Sequence, residues 1–251
     1  MSAAPFAVIS DVHGNRWALE AVLEDMRRRG VRCAANLGDC VYGPLDPAGT
    51  ARMLMSLELP TVRGNEDRLV IEAALPGADP KAIAARNRAA LEPGQVAWLE
   101  GLALTAVLDD LWFLCHGTPD SDDSYLLESV GASGRIARRS GVAIDRSLAG
   151  VSERLVLCGH SHVPGSARTP GGRLVVNPGS VGVQAFEDSS PRPHVVEAGS
   201  PHARYAVLKR SGEAWSVEQV RVVYDWEAAA RRASDNGRED WAYWLASGRV
   251  R

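Results

Sequence analysis

The segment "PFAVISDVHGNRWALEAVLEDMRRRG", residues 5–30, passes from an unbroken apolar run directly into a helical pattern. "PFAVIS" (Pro5–Ser10) suits a strand buried on both faces. Asn15 can cap the helix that follows. Trp17, Leu19, Ala21, Val22, Leu23 and Met26 form its apolar face, and Gly30 ends it. At the join lie Asp11, His13, Gly14 and Asn15. Turn and cap chemistry accounts for Gly14 and Asn15. It does not account for Asp11-x-His13, two ligand-type side chains at the carboxyl end of a strand.

The same succession continues. "RCAANLG" reads as a second strand leading into Asp39, Pro47–Leu57 as a helix, and "LPTVRG" as a third strand ending at Gly64-Asn65. This β-α-β-α-β order is the signature of an α/β layered fold. From Glu66 to Leu104 the pattern is helical, broken by "LPGADP" and "LEPG". "LTAVLDD" and "LWFLCHG" form a hairpin turning at Asp109-Asp110. Ser124–Ser140 is expected to be helical. "RLVLCGH" and "GRLVVNPGS" are further strands, "ARYAVLKRSGEAWSVEQVRV" is a strand pair joined at Ser211-Gly212, and Trp226–Ala246 is helical. Residues 1–251 read as a single domain. Ala185–Pro201, rich in Pro, Ser and His, reads as a surface loop or insertion.

Each predicted strand breaks into the same few residue types: Asp11-x-His13, Gly38-Asp39, Gly64-Asn65, His116-Gly117, Gly159-His160-x-His162, and Asn177 in "NPGS". In α/β sheets, ligands gather outside the carboxyl ends of the strands. Two Asp, one Asn and four His offer oxygen and imidazole donors suited to Mn, Fe, Zn or Ni rather than to an all-oxygen calcium site. Seven donors exceed the need of one ion and suit two ions ~3.5–4 Å apart with one carboxylate between them, a clamp for in-line displacement at phosphorus. Each piece alone has a plainer account, as a turn or a core histidine. The pair His160-x-His162 is stronger, because alternate residues of an extended segment project to one side. Four of the six histidines fall at these strand ends.

Composition narrows the rest. A net charge of -3 gives no pull toward nucleic acid or anionic membrane. No apolar run approaches ~20 residues and no signal segment is visible, so a cytoplasmic location is expected. Cys33, Cys40, Cys115 and Cys158 have no C-x-x-C spacing and read as buried, reduced thiols.

"SDVHGN", "LGDCVYGP", "RGNED", "CHGTP", "CGHSHVP" and "VVNPGSVG" resemble, in this order, the motifs of the calcineurin-like metallophosphoesterase superfamily, closest to its small bacterial phosphodiesterase branch. The resemblance spans about Phe6–Val183 and returns at "YAVL" near Tyr205. It implies a four-layer α/β/β/α sandwich. It implies that Asp11, His13 and His162 hold a first metal, that Asn65, His116 and His160 hold a second, and that Asp39 bridges them. Catalytic roles then fall to Asp39, Asn65 and His116. The cofactors implied are two divalent transition-metal ions, Mn favoured, with Fe, Zn, Ni or Mg as alternatives. A hydroxide between the ions would attack the phosphorus of a small phosphate-ester substrate. Asn15 and Arg16, at a helix N-terminus beside the site, are candidate substrate-binding residues.

One departure bears on activity. Many phosphatases of the superfamily carry histidine directly after Gly-Asn, thought to protonate the leaving group; here the residue is Glu66. The simpler reading of Glu66 is an exposed helix-start carboxylate. The missing histidine favours a phosphodiesterase. The rivals are a phosphomonoesterase, a dinucleoside polyphosphate hydrolase, and a non-catalytic protein-binding scaffold of the kind the retromer complex builds on this fold.

Overall fold

The computed structural model describes residues 4–79, 81–212 and 214–251. The elements run β1 (Phe6–Ile9), α1 (Arg16–Arg28), β2 (Cys33–Asn36), α2 (Pro47–Ser56), α3 (Asn65–Glu72), α4 (Ile83–Ala90), α5 (Pro93–Glu100), β3 (Thr105–Leu108) and β4 (Trp112–Cys115). There follow β5 (Glu128–Val130), β6 (Ile136–Arg138), α6 (Gly141–Ser147), β7 (Leu155–Leu157), β8 (Gly165–Arg168), β9 (Leu174–Asn177), β10 (Ala185–Asp188) and β11 (His194–Glu197). The chain closes with β12 (Ala203–Ser211), β13 (Ala214–Val222), α7 (Trp226–Asp235) and α8 (Glu239–Ser247). Among the described residues no helix is long and apolar enough to cross a membrane.

Two sheets carry the architecture, ordered β13-β12-β1-β2 and β3-β4-β7-β9-β8. Within them β1 runs parallel to β2, and β4, β7 and β9 run parallel to one another. The period-2 alternation of strand side chains sets the layers. Val8, Trp112, Leu114, Leu155, Leu157, Leu174, Val176, Ala206 and Leu208 point between the sheets into a common core. Their neighbours point outward. Ala7, Ile9, Tyr205 and Val207 meet α1, α2, α7 and α8, whereas Val156, Val175 and Cys158 meet Ile144 and Leu148 around α6. Helix, sheet, sheet, helix is thus the layer order, a four-layer α/β/β/α sandwich.

The short apolar runs are too brief to stand alone, and each fully buried Leu or Val adds about 1.5–3 kcal/mol relative to exposure. Asn15 does cap α1, its Oδ1 accepting the Ala18 N–H at 3.1 Å. Because the parallel strands of both sheets end on one edge, their following loops meet there.

Four expectations fail. Ser124–Ser140 is not a helix but the β5–β6 hairpin, turning at Gly134 with φ +76°. Two glycines inside a helix cost about 2 kcal/mol relative to alanine, and in the hairpin buried Glu128 gains the Arg138 guanidinium across the ladder. Ala185–Pro201 is not a surface loop: it holds the β10–β11 hairpin, whose Ala185 and Val196 are buried, with its prolines at the turn. "LPTVRG" makes only isolated bridges, Thr61 to Asn36 and Val62 to Ala103, since Pro60 and Gly64 frame too short a run. Cys33, at the start of β2, is exposed; the other three thiols are buried and all four are free, as expected.

Candidate metal centre

Past the end of β1 the parallel ladder persists: Asp11, His13 and Gly14 donate their N–H groups to Gly38, Asp39 and Cys40 carbonyls at 2.9, 2.9 and 3.1 Å. The loop after β9 closes from the other side, with Val181 and Gly182 N–H bonded to the Ser10 and Asp11 carbonyls. Beyond β4, the His116 carbonyl accepts the Gly159 N–H at 2.7 Å. Five strand-end loops are thereby pinned by main-chain bonds.

Among the described residues three groups of donors result: one joins His13, Asp39 and half-buried Glu66, and two share no residue. Asp11, His13 and His162 form one; Asp39, His116 and His160 form the other; in each the ligand atoms lie within 4.8 Å of one another and all six residues are buried. Asn65, at the first turn of α3, places Oδ1 3.1 Å from His116 Nε2, and Asp39 Oδ2 is 3.3 Å from the same nitrogen. The division between groups follows the one implied by the resemblance. The backbone reason differs from the sequence argument. Asp11, His13, Asp39, His160 and His162 are five of the eight described non-glycine residues with positive φ, between 52° and 66°. They are left-handed, not extended, and His160 and His162 face different groups rather than one side. Left-handed backbone costs roughly 1–2 kcal/mol per such residue, and strain of this kind concentrates at functional sites.

Second contacts fix the imidazoles. Nδ1 of His13, His116 and His162 lies 3.2, 2.7 and 3.0 Å from the carbonyls of Tyr42, Leu37 and Val183. Each carbonyl accepts an Nδ1–H, so each Nε2 turns its lone pair inward. His13 Nε2 and His162 Nε2 stand 3.1 Å apart. With both lone pairs turned inward, this gap suits a cation. Burial alone lowers imidazole pKa, yet Glu66 beside His13, and Asp39 and Asp11 beside His116, outweigh it and hold these groups up at about 9 and about 10. His160 has burial and neighbouring His116 against its charge and falls to about 3. Burial works against ionised Asp39 too, but His116 and His13 hold its carboxyl well below the usual range.

Asp11 tests whether cations belong here. Its carboxylate is wholly buried and neither oxygen has a hydrogen-bond donor; Nε2 of His162 lies 3.4 Å and Nε2 of His116 3.8 Å from Oδ1. An unpaired buried charge costs on the order of several kcal/mol, and nitrogen and oxygen donors turned onto one point are the partners of a divalent ion. The residues fit. Ion binding displaces the protons on His13 and His116, so apparent affinity rises with pH through the neutral range. Titrating metal-free protein with Mn2+ between pH 6 and 8 checks that sign.

Asn15 and Arg16 are not at the cavity, contrary to the expectation for substrate binding. Asn15 is buried and spends its amide on the Gly182 carbonyl and the Tyr224 hydroxyl at 2.7 and 3.2 Å; Arg16 pairs with Asp46 at 3.1 Å. Asn177 stays behind the donor groups, bonded to the Gly159 carbonyl and Ser161 Oγ. Arg138 pairs with Glu128, and Arg139 binds main-chain carbonyls. Sequence reasoning missed Asp67, fully buried, whose carboxylate takes the Cys40 and Gly64 N–H groups at 2.8 and 3.1 Å. A carboxylate three residues into a helix is the capping-box signal that could have found it. It also missed Arg238, Trp241 and Trp244, which α8 and its cap bring to a cavity of about 310 Å3 over His13, Asp39, Asn65, His160 and His162. Tyr42, Leu69 and Phe186 complete its apolar wall, and Asp123, Glu187 and Asp188 supply its remaining acids besides Glu66.

A model of the calcineurin-like phosphoesterase superfamily domain matches residues 5–198. The chain belongs to that superfamily. Among solved structures, this calcineurin-like phosphoesterase is similar to a metallophosphoesterase from Sphaerobacter thermophilus, with 25% identity and a TM-score of 0.75 over 98% of this chain and 100% of that one. A structure described as a putative diadenosine tetraphosphatase shares the fold, at 14% identity and a TM-score of 0.52 over 88% and 94% of the two chains. An uncharacterised protein of Methanocaldococcus jannaschii is 41% identical over 61 residues, 24% of this chain and 25% of that protein. That match spans only a quarter of the curated relative. Helix α8 and its cap Arg238 lie beyond the family match, yet they wall the cavity over the donor groups.

Proposed function

We propose that the chain is a di-metal phosphodiesterase acting on small phosphate esters, with Mn2+ as the working ion. The observation that carries the reading is the pair of buried donor groups, with Asp11 left without any hydrogen-bond donor. In this reading Asp11, His13 and His162 hold one ion, Asn65, His116 and His160 the other, and Asp39 serves both. When bound, two such ions polarise the phosphoryl oxygens and supply a water-derived nucleophile at neutral pH. The chain's own part is to hold donors in place. Main-chain carbonyls fix three imidazole tautomers, and the Glu66 N–H fixes Asp39 Oδ1 at 2.9 Å. The aromatic wall limits water around the reacting ester. The reading treats the chain as one domain, since α7 and α8 share the core of α1 and α2.

Diester preference rests on charge. Asp123, Glu187 and Asp188 line the cavity, and the one arginine among its described lining residues, Arg238, is already bound to Asp240 through two hydrogen bonds of 2.8 and 2.6 Å. A monoanionic diester meets less repulsion there than a dianionic monoester or a polyphosphate. With added Mn2+, bis-p-nitrophenyl phosphate is expected to turn over about tenfold faster than p-nitrophenyl phosphate or diadenosine tetraphosphate, a difference of about 1.4 kcal/mol. Dominant monoester turnover overturns the diesterase assignment, and dominant diadenosine tetraphosphate turnover transfers it to polyphosphate hydrolysis.

Ion binding also bears on stability. At a hundred times its Kd a ligand of the native state adds about 2.7 kcal/mol. For a chain of this size that is roughly 5–11 °C in Tm. Thermal unfolding after chelation, and again after Mn2+ is restored, is expected to differ by that margin; identical curves would remove the metal from the reading.

A further inference from the structure

Glu66 does not behave as an exposed helix-start carboxylate. Its side chain is 22% exposed, Oε2 lies 2.9 Å from His13 Nδ1, and ligand-type atoms of Glu66, His13 and Asp39 come within 4.8 Å of one another. The Tyr42 carbonyl accepts the N–H of the same nitrogen at 3.2 Å, and the buried Oε2 has no hydrogen-bond donor of its own. The N–H of Glu66 meanwhile binds Asp39 Oδ1. One residue therefore touches a member of each donor group, through its backbone on one side and its carboxylate on the other.

We infer that Glu66 is a positioning residue for His13, holding the imidazole with its Nε2 lone pair inward and making it a stronger ligand, rather than an acid for the leaving group. Carboxylates behind ligating imidazoles fix the tautomer and increase basicity, and losing one typically lowers metal affinity 10–100-fold. The contact of the Glu66 carboxylate with His13 Nδ1 places it for this task. The position that carries histidine in many relatives has here been given to ligand support. This inference rests on the di-metal reading above.

The test is calorimetric titration of chelator-treated protein with MnCl2, comparing wild type with Glu66→Gln, alongside rates at saturating Mn2+ on bis-p-nitrophenyl phosphate and on the phenyl diester with its poorer leaving group. Glu66→Gln keeps the shape and removes the charge. The expected result is two ions per chain in both proteins, with affinity at one site about tenfold weaker in the variant. At saturating Mn2+ the rate ratio between the two esters stays unchanged. Unaltered affinity overturns the inference. So does a rate loss concentrated on the phenyl ester, which would mark an acid, or a fall to one ion per chain, which would mark a direct ligand. Should Glu66→Gln fail to fold by circular dichroism, Glu66→Asp carries the comparison: it keeps the charge but withdraws it from Nδ1, and its affinity must also fall. A wild type that binds no Mn2+ overturns the di-metal reading itself, whereas normal binding unaffected by either variant overturns this inference alone.

Discussion

Replacing Asp39 with asparagine is expected to leave a folded protein whose Mn2+-dependent phosphodiesterase activity is roughly a thousandfold lower, about 4 kcal/mol of transition-state stabilisation. Asp39 is the carboxylate that faces both donor groups. Its Oδ2 lies 3.3 Å from His116 Nε2; it is the leading carboxylate acting on His116 and adds, behind Glu66, to the charge felt by His13. Asparagine is the substitution that isolates this charge. The residue sits at φ +52°, a conformation asparagine tolerates better than most residues. Its amide oxygen can still accept the Glu66 N–H. Alanine would remove that acceptor and add left-handed strain, confusing stability with function. Circular dichroism and Tm check the fold, metal analysis checks the ion count, and initial rates check the activity. A variant that keeps its rate shows that Asp39 lies outside the chemistry.

The donor set was legible because each donor follows an apolar run, and α/β topology brings the ends of parallel strands together. His116 and His160 are 44 residues apart in sequence, yet both lie just beyond β4 and β7, which pair in register. What misled the sequence argument was local backbone. Period-2 projection of Asp11-x-His13 and His160-x-His162 assumes extended chain, whereas these loops turn left-handed immediately past the strands. Residue types that tolerate such backbone, Asp and His among them, are also ligand types, so the two explanations are hard to separate in a string of letters.

Other features lay beyond sequence reasoning because they depend on distant packing. The carbonyls of Leu37, Tyr42 and Val183 carry no signature, since any residue presents one. Glu66 read as a solvated carboxylate because nothing local shows that the ring of His13, 53 residues earlier, lies against it. The β10–β11 hairpin was hidden by its Pro and Ser content, although Phe186 within it stacks edge-on against His162 with centroids 4.6 Å apart. Trp241 and Trp244 lie within the segment that reads as helical, but which surface they cover cannot be read from periodicity.

Gly182→Ala is expected to cost about 3 kcal/mol, at the upper end of overpacking effects, and to lower Tm by roughly 6–12 °C. A Cβ built there would stand 1.9 Å from the Val12 carbonyl oxygen, 2.5 Å from its carbon and 3.1 Å from the Asp11 oxygen. All three are main-chain atoms of the loop bearing Asp11 and His13, so no flexible side chain can yield. Gly182 is not among the positive-φ residues, which leaves contact rather than backbone strain as the cause. The displacement would reach the donor groups. Gly182 bonds to the Asp11 carbonyl through its N–H at 2.8 Å and to Asn15 through its own carbonyl, and the next residue's carbonyl anchors His162 Nδ1. Mn2+ affinity should therefore fall along with Tm, by about tenfold, as for loss of a support behind a ligand. Gly172→Ala is the control: its φ is +82° with nothing within 4 Å of the added methyl, so it carries only the backbone term of about 1–2 kcal/mol and leaves Mn2+ binding intact. Equal effects of the two substitutions would mean that the loops around Asp11 and Gly182 are not pressed together as closely as their main-chain bonds require.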